Sequence, residues 1–144
     1  MITFQTKLDK IFQRYSEEKG FEYKLLKYKL LEVSKYCAGN SALDVGCGVG
    51  ILTRRLAHKF HFIVGIDGSS QKIQIAKRYN SAPNIEYQCV LFDDYHPKHL
   101  FRTVIMTNVL EHSQDPVKLL RQVKTRLAPG GRVIITVPNA LAIH

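Results

Sequence analysis

Cysteine is scarce in this chain, and long apolar runs are missing. The three cysteines, Cys37, Cys47 and Cys89, are odd in number and lack the paired spacing of a zinc site. A disulfide framework and a cysteine metal centre are therefore excluded, and reduced, buried thiols are expected. No stretch approaches the roughly 20 apolar residues of a membrane span. Met1–Lys7 is not followed by the apolar core of a signal peptide, so cytoplasmic localisation is the expectation. Internal repeats, low-complexity segments and interdomain linkers are absent from the sequence. Acidic residues are few, 12 against 21 Lys and Arg, which leaves a net charge of +9. Such a balance raises a nucleic-acid reading. Yet the basic residues are scattered (Arg54-Arg55, Lys77-Arg78, Arg121, Lys124, Arg126) and form no tract interleaved with aromatics. A solvated basic surface is the preferred reading.

What is present fits a single domain. The 144 residues suffice for one core. Contents of 45% apolar and 23% charged residues are ordinary for a globular protein. Residues 4–19 carry Phe4, Leu8, Ile11, Phe12 and Tyr15 on one helical face, and Gly20 stops that helix. A second amphipathic helix over about 22–38 aligns Leu26, Leu30, Val33 and Cys37, ending at Gly39-Asn40. From residue 41 strands and helices alternate, the signature of a parallel sheet covered on both faces. The strands are predicted at about 41–46, 61–66, 85–90, 102–107 and 133–137, the last as a buried strand. Helices are predicted at about 50–59 and 70–79, the second capped by a serine hydroxyl. Another follows Asp115-Pro116, with an apolar stripe of Val117, Leu120, Val123 and Leu127, and is stopped by Pro129-Gly130-Gly131.

The chain is organised around Leu43-Asp44-Val45-Gly46-Cys47-Gly48-Val49-Gly50. It reads as a strand, a glycine turn and a helix start. Glycines at alternate positions let a ligand approach the backbone. Amide N–H groups at the helix start suit polar or anionic ligand groups. Asp44 can accept hydrogen bonds from a cationic group, so the turn suits a ligand of both charges, such as an amino acid. Cys47 lies inside the turn. Further polar residues, Asp67, Asp93, Asp94 and Asn108, fall at predicted strand ends, where ligands bind in open α/β sheets. A carboxylate about 20 residues past the glycine turn suits two ribose hydroxyls, which is the reading for Asp67. Capping of the next helix is its alternative.

The dinucleotide fingerprint G-x-G-x-x-G is not met, because Ile51 stands where the third glycine belongs. The observed Asp-x-Gly-x-Gly-x-Gly resembles motif I of the class I S-adenosylmethionine-dependent methyltransferases. LDVGCGVG at 43–50, VGID at 64–67, NVLEHSQDP at 108–116 and LAPGGRVIITVPN at 127–139 extend the resemblance over residues 41–139. They look most like the small-molecule branch, which includes ubiquinone-biosynthesis and sugar or natural-product enzymes. The resemblance implies a Rossmann-like, doubly wound, mainly parallel α/β sheet with five strands in the order 3-2-1-4-5. It makes residues 1–40 a cap of two helices, for which plain packing on the sheet is the alternative, and 41–144 the cofactor domain. S-adenosyl-L-methionine, and its product S-adenosyl-L-homocysteine, would place its methionine end on Asp44, Gly46, Cys47, Gly48 and Gly50. Its ribose would lie on Asp67 and Gly68, and Asn108 would border the site.

Adenine is expected near the end of strand three, where the match loosens. The family's Gly-Asp-Ala aligns with Val90, Leu91 and Phe92, so Phe92 is expected to pack on the adenine and Asp93 to supply the polar contact. Some relatives carry Glu-x-x-Glu-His after strand four and bind a metal. Here Asn108 replaces the first glutamate, a poorer ligand for a hard cation, and no metal is expected. His112 is the candidate general base, with a structural role beside Glu111 as the alternative. Two strands that the family usually places after strand five do not appear before His144. Ala140–His144 reads as the opening of a longer segment, or the chain is a naturally short member. Strand five is then a possible self-pairing edge, and cofactor binding with slow turnover is the expectation. Three functions stay open: a small-molecule methyltransferase, a cofactor-binding module with little catalysis, and a nucleic-acid methyltransferase.

Overall fold

Val, Ile and Leu crowd the central strands of this chain, and strands so apolar must be buried on both faces. The computed structural model describes residues 21–138, and the expected helix at 4–19 lies outside them. The elements are α1 (Phe21–Tyr36), β1 (Ser41–Val45), α2 (Ile51–Leu56) running into a 3-10 turn (Ala57–Lys59), β2 (Phe62–Asp67) and α3 (Ser70–Tyr79). They continue with β3 (Ile85–Cys89), a 3-10 turn (Phe92–Asp94), β4 (Phe101–Thr107), a 3-10 turn (Leu110–His112), α4 (Pro116–Lys124) and β5 (Leu127–Thr136). All pairings are parallel, in the order β3-β2-β1-β4-β5. This is the expected doubly wound Rossmann-like sheet.

Central β1 is buried along its whole length. Alternation along the strands divides the core in two. Ala42, Ile63, Ile105 and Ile134 face one layer, where Val33 of α1 and Leu52 and Leu56 of α2 cover them. Leu43, Val45, Val64, Ile66, Val104 and Met106 face the other, against Leu119 and Val123 of α4. α3 packs beside α2's layer through Ile73 and Ala76 on Tyr87. So α1, α2 and α3 share one face of the sheet and α4 takes the other. Leu26, Leu30 and Cys37 pack with Val33 as the α1 pattern predicts.

Four expectations are corrected. The buried side of α4 is Leu119 and Val123, whereas Val117 and Leu120 are exposed. The nine-residue helix is capped by Asp115, whose carboxylate accepts from Lys118 N–H; Val123 is buried as expected, Leu119 takes the place of Leu120 beside it, and Leu127 belongs to β5. Pro129-Gly130-Gly131 does not lie between helix and strand. It sits within β5, where pairing jumps from Phe101↔Leu127 to Thr103↔Arg132, and Gly130 takes a positive φ in the resulting bulge. Arg102 donates from its guanidinium to the Pro129 carbonyl across it. Nor is β5 buried: Ile135 and Val137 are exposed and only Ile134 is enclosed. Among the described residues it pairs with β4 alone, so its outer side lacks a neighbour. Cys89, expected to be buried, is also exposed, because it ends an outer strand.

Candidate functional site

Each strand of the inner three ends in a turn that carries a residue of interest. β1 delivers Asp44, completely buried on the α2 side of the sheet. Its Oδ2 accepts a 2.6 Å hydrogen bond from Thr53 Oγ1 of α2, while Oδ1, equally buried, has no partner. Burial raises its pKa from an ordinary 3.8 to about 7, with the Thr53 bond opposing and the Asp67 charge adding to the shift. A half-satisfied buried carboxylate is costly unless a donor completes it.

Within the glycine turn, Gly46 and Cys47 N–H donate to Ile66 O, and Gly50 N–H to Cys47 O. Gly48 N–H donates to Asp67 Oδ2 at 3.0 Å. What the turn offers is approach. Gly46, Gly48 and Gly50 all have positive φ, and a Cβ at Gly48 would meet nothing within 4 Å. At Gly50, by contrast, a Cβ would strike the Tyr87 hydroxyl and Ala76, so this glycine serves internal packing. Gly46 makes room for Val109 in the same way. The Cys47 side chain packs with the cluster of Ile73, Ala76 and Tyr87, where burial pushes its thiol well above the usual range.

Asp67 ends β2 and joins two turns, accepting from Gly48 N–H at Oδ2 and from Ser69 N–H at Oδ1. The cap of α3 comes from Ser69, whose Oγ accepts from Lys72 N–H. Asp67 is thereby released from capping. Exposed Gly68 lies under Leu91, whose Cδ2 would sit 2.7 Å from a Cβ there. The loops after β2 and β3 thus touch through Leu91, a contact the sequence reading missed.

Leu91, Phe92, Asp93 and His112 line one cleft of about 580 Å³, together with residues of α4. Phe92 has one ring face taken by the Arg126 guanidinium, 4.6 Å from its centroid. Arg126 is itself buried and donates to Tyr95 O and Gln122 O, so it fixes the 3-10 turn against α4. Asp93 is drawn toward α4 by Lys118, at 3.7 Å between exposed groups. Asn108 follows β4 with φ 54, a conformation that asparagine tolerates better than most residues, and donates its N–H to Thr136 O. His112 is exposed at the end of its 3-10 turn. No group of three or more His, Cys, Asp or Glu among the described residues is placed to hold a metal ion.

The structure therefore gathers Asp44, Gly48 and Asp67 around the first two turns, and Phe92, Asp93 and His112 around a neighbouring cleft. Thr53, Leu91, Val109 and Arg126 were not singled out from the sequence. Thr53 was legible in principle, being a hydroxyl between Leu52 and Leu56 on a predicted buried stripe.

Comparison with known proteins agrees with this geometry. The chain is 34% identical over 106 residues to a ubiquinone biosynthesis O-methyltransferase of Chromobacterium violaceum, covering 71% of this chain and 46% of that protein. The corresponding protein of Thiobacillus denitrificans is 31% identical over 118 residues, 79% of this chain and 51% of that one. The chain spans about half the length of these curated relatives. Among solved structures, the N-methyltransferase NodS from Bradyrhizobium japonicum with S-adenosyl-L-homocysteine superposes with a TM-score of 0.69 at 22% identity, over 94% of this chain and 72% of that one. The plantazolicin methyltransferase BpumL gives 0.70 at 19%, over 91% and 53%. The family model described as a methyltransferase domain matches residues 6–143. With its β3-β2-β1-β4-β5 sheet and its glycine turn after β1, the chain belongs to the class I methyltransferase family.

Proposed function

We propose that this chain binds S-adenosylmethionine beyond the carboxyl ends of β1 and β2, and that it forms the cofactor-binding part of an enzyme methylating a small-molecule acceptor. The observation that carries this reading is the orphaned Asp44 Oδ1, fully buried beside the open backbone at Gly48. Such an oxygen fits the α-ammonium of an amino-acid ligand, which supplies a charged donor where burial otherwise disfavours the carboxylate. Asp67 keeps lone pairs beyond its two backbone bonds for ribose hydroxyls. Leu91, Phe92 and Asp93 border the place where the resemblance puts adenine. NodS, of the same fold, was crystallised with S-adenosyl-L-homocysteine, and the relatives named above act in ubiquinone biosynthesis by name.

The bound cofactor supplies a sulfonium methyl, a potent electrophile. The protein's part is to hold the acceptor in line with it, within about 3–3.5 Å, a task of position more than of acid–base chemistry. Exposure of His112 on the cleft supports its reading as the base that takes a proton from a hydroxyl or amine acceptor. Free Cys37, Cys47 and Cys89 fit a reducing compartment, which supports the cytoplasm as the setting. Calorimetric titration with S-adenosylmethionine, S-adenosylhomocysteine and a nicotinamide dinucleotide tests the reading. Binding of the first two and not the third is expected. Tight dinucleotide binding with no response to the sulfonium compound would sink it.

A further inference from the structure

The sequence scatters its positive charge, and the fold collects it. α1 carries Lys24, Lys27, Lys29 and Lys35, α2 and the turn after it carry Arg54, Arg55 and Lys59, and α3 carries Lys72, Lys77 and Arg78. Against these ten, the same three helices hold two acids, Glu22 and Glu32. Over the remaining residues of 37–138, seven basic residues face seven acidic ones. Because α1, α2 and α3 lie on one face of the sheet, nearly all of the +9 net charge belongs to the outer surface of one helical layer.

That surface is apolar as well as basic. Opposite the buried stripe of α1, Lys24, Tyr28, Leu31 and Lys35 follow one another at intervals of three and four residues and so share the outward side. Tyr28 is 68% exposed and Leu31 51%, with Leu25 at 44% and Tyr36 at 57% on the flank. Among the described residues no other helix exposes as many large apolar side chains. Glu32 pairs with Lys35, the one acidic side chain described on this layer.

We infer that the α1–α2–α3 layer docks on an anionic lipid surface, with lysines on the head groups and Tyr28 and Leu31 entering the interfacial zone. Basic residues near such a surface each add attraction, and apolar side chains that reach the acyl boundary add affinity that salt does not screen. Lysine outnumbers arginine on the layer by seven to three. Lysines suit diffuse contact with head groups, whereas bidentate reading of a nucleic-acid backbone favours arginine. Exposed Leu25 and Leu31, which find no partner on a phosphate backbone, also favour a lipid surface over a nucleic-acid groove.

The test is flotation of the full chain with vesicles of phosphatidylcholine alone, or with about one-third phosphatidylserine. Binding to the mixed vesicles and not to the neutral ones is expected. Combining Lys24→Glu, Lys27→Glu, Lys72→Glu and Lys77→Glu should lower it by more than about tenfold. Tyr28→Ser with Leu31→Ser, which leaves charge unchanged, should lower it several-fold and most visibly at high salt. Circular dichroism and an unchanged melting temperature establish that each variant is folded. Equal binding to both vesicle types would overturn the inference, as would variants that bind like the parent. So would a duplex oligonucleotide that displaces the vesicles while the Tyr28→Ser, Leu31→Ser variant keeps full affinity for it, since the layer would then be a nucleic-acid surface.

Discussion

Two carboxylates at neighbouring strand ends behave differently because of what surrounds each. Asp67 has a backbone donor on each oxygen, while Asp44 has one hydroxyl for two buried oxygens. Asp67→Ala should weaken S-adenosylmethionine binding by about 1.5–3 kcal/mol, the scale of hydrogen bonds to a charged group. Ser69 retains the cap of α3, so melting should show a folded variant, and calorimetry reads the affinity. For Asp44, burial lifts the pKa from 3.8 to about 7, with Thr53 opposing and Asp67 reinforcing. Between those values the folded chain holds a proton that the unfolded chain has released. Its contribution to stability is therefore full at low pH, is lost as pH rises toward 7, and is flat above. A cationic ligand group favours the charged form, so binding near pH 6 should release a proton and affinity should fall below pH about 7. Titrations in two buffers of different ionisation heat measure that release, and its absence would separate Asp44 from the ligand.

At the scale of elements, the rotation of a helix decides which residues matter. Leu119→Ala in α4 removes a buried side chain and should cost about 2–5 kcal/mol in urea denaturation. Val117→Ala, two residues earlier and exposed, should cost less than about 0.5 kcal/mol. Equal effects would restore the stripe expected from the sequence. Helix α2 has a second duty, because Thr53 is the hydroxyl that holds Asp44 in place. Thr53→Val keeps its shape and strips the last partner from a buried carboxylate, so about 1–3 kcal/mol of stability should go. The loss should be smaller at pH 5, where Asp44 is protonated, than at pH 8. Periodicity placed β1 to β4 and α1, α2 and α3 within a few residues, because half-buried elements repeat with their own geometry. It failed on α4 and on the start of β5. There a short helix takes its rotation from the packing of Leu119 and Val123 on the sheet, and a bulge absorbs Pro129-Gly130-Gly131.

For the whole molecule, cofactor binding and stability are linked. A ligand at about 100 times its dissociation constant adds about 2.7 kcal/mol. S-adenosylhomocysteine should thus raise the melting temperature by several degrees, a shift that differential scanning fluorimetry resolves and that Asp67→Ala should reduce. A folded chain whose melting ignores the ligand at millimolar concentration would count against the cofactor site. The separation of charge also belongs to this scale. Lysines on α1 and α3 stand some 40 residues apart in the chain and become neighbours in effect only because both helices lie on one face of the sheet.

Alternating apolar patterns and the glycine turn were enough to determine a parallel doubly wound sheet, its strand count and the positions of Asp44, Asp67 and Asn108 at strand ends. Such features are local, because a strand period, a cap and a turn each depend on residues a few positions apart. Tertiary structure decided the rest. Thr53 meets Asp44 only when α2 folds back on β1, and Arg126 covers Phe92 only when α4 packs under the loop after β3. The N–H groups of Gly46, Cys47 and Gly48 are taken by Ile66 O and Asp67 once β2 lies beside β1. Each of these contacts joins residues distant in the chain, and only the packing of the elements on the sheet sets which groups meet and which are left, as Asp44 Oδ1 is, without a partner.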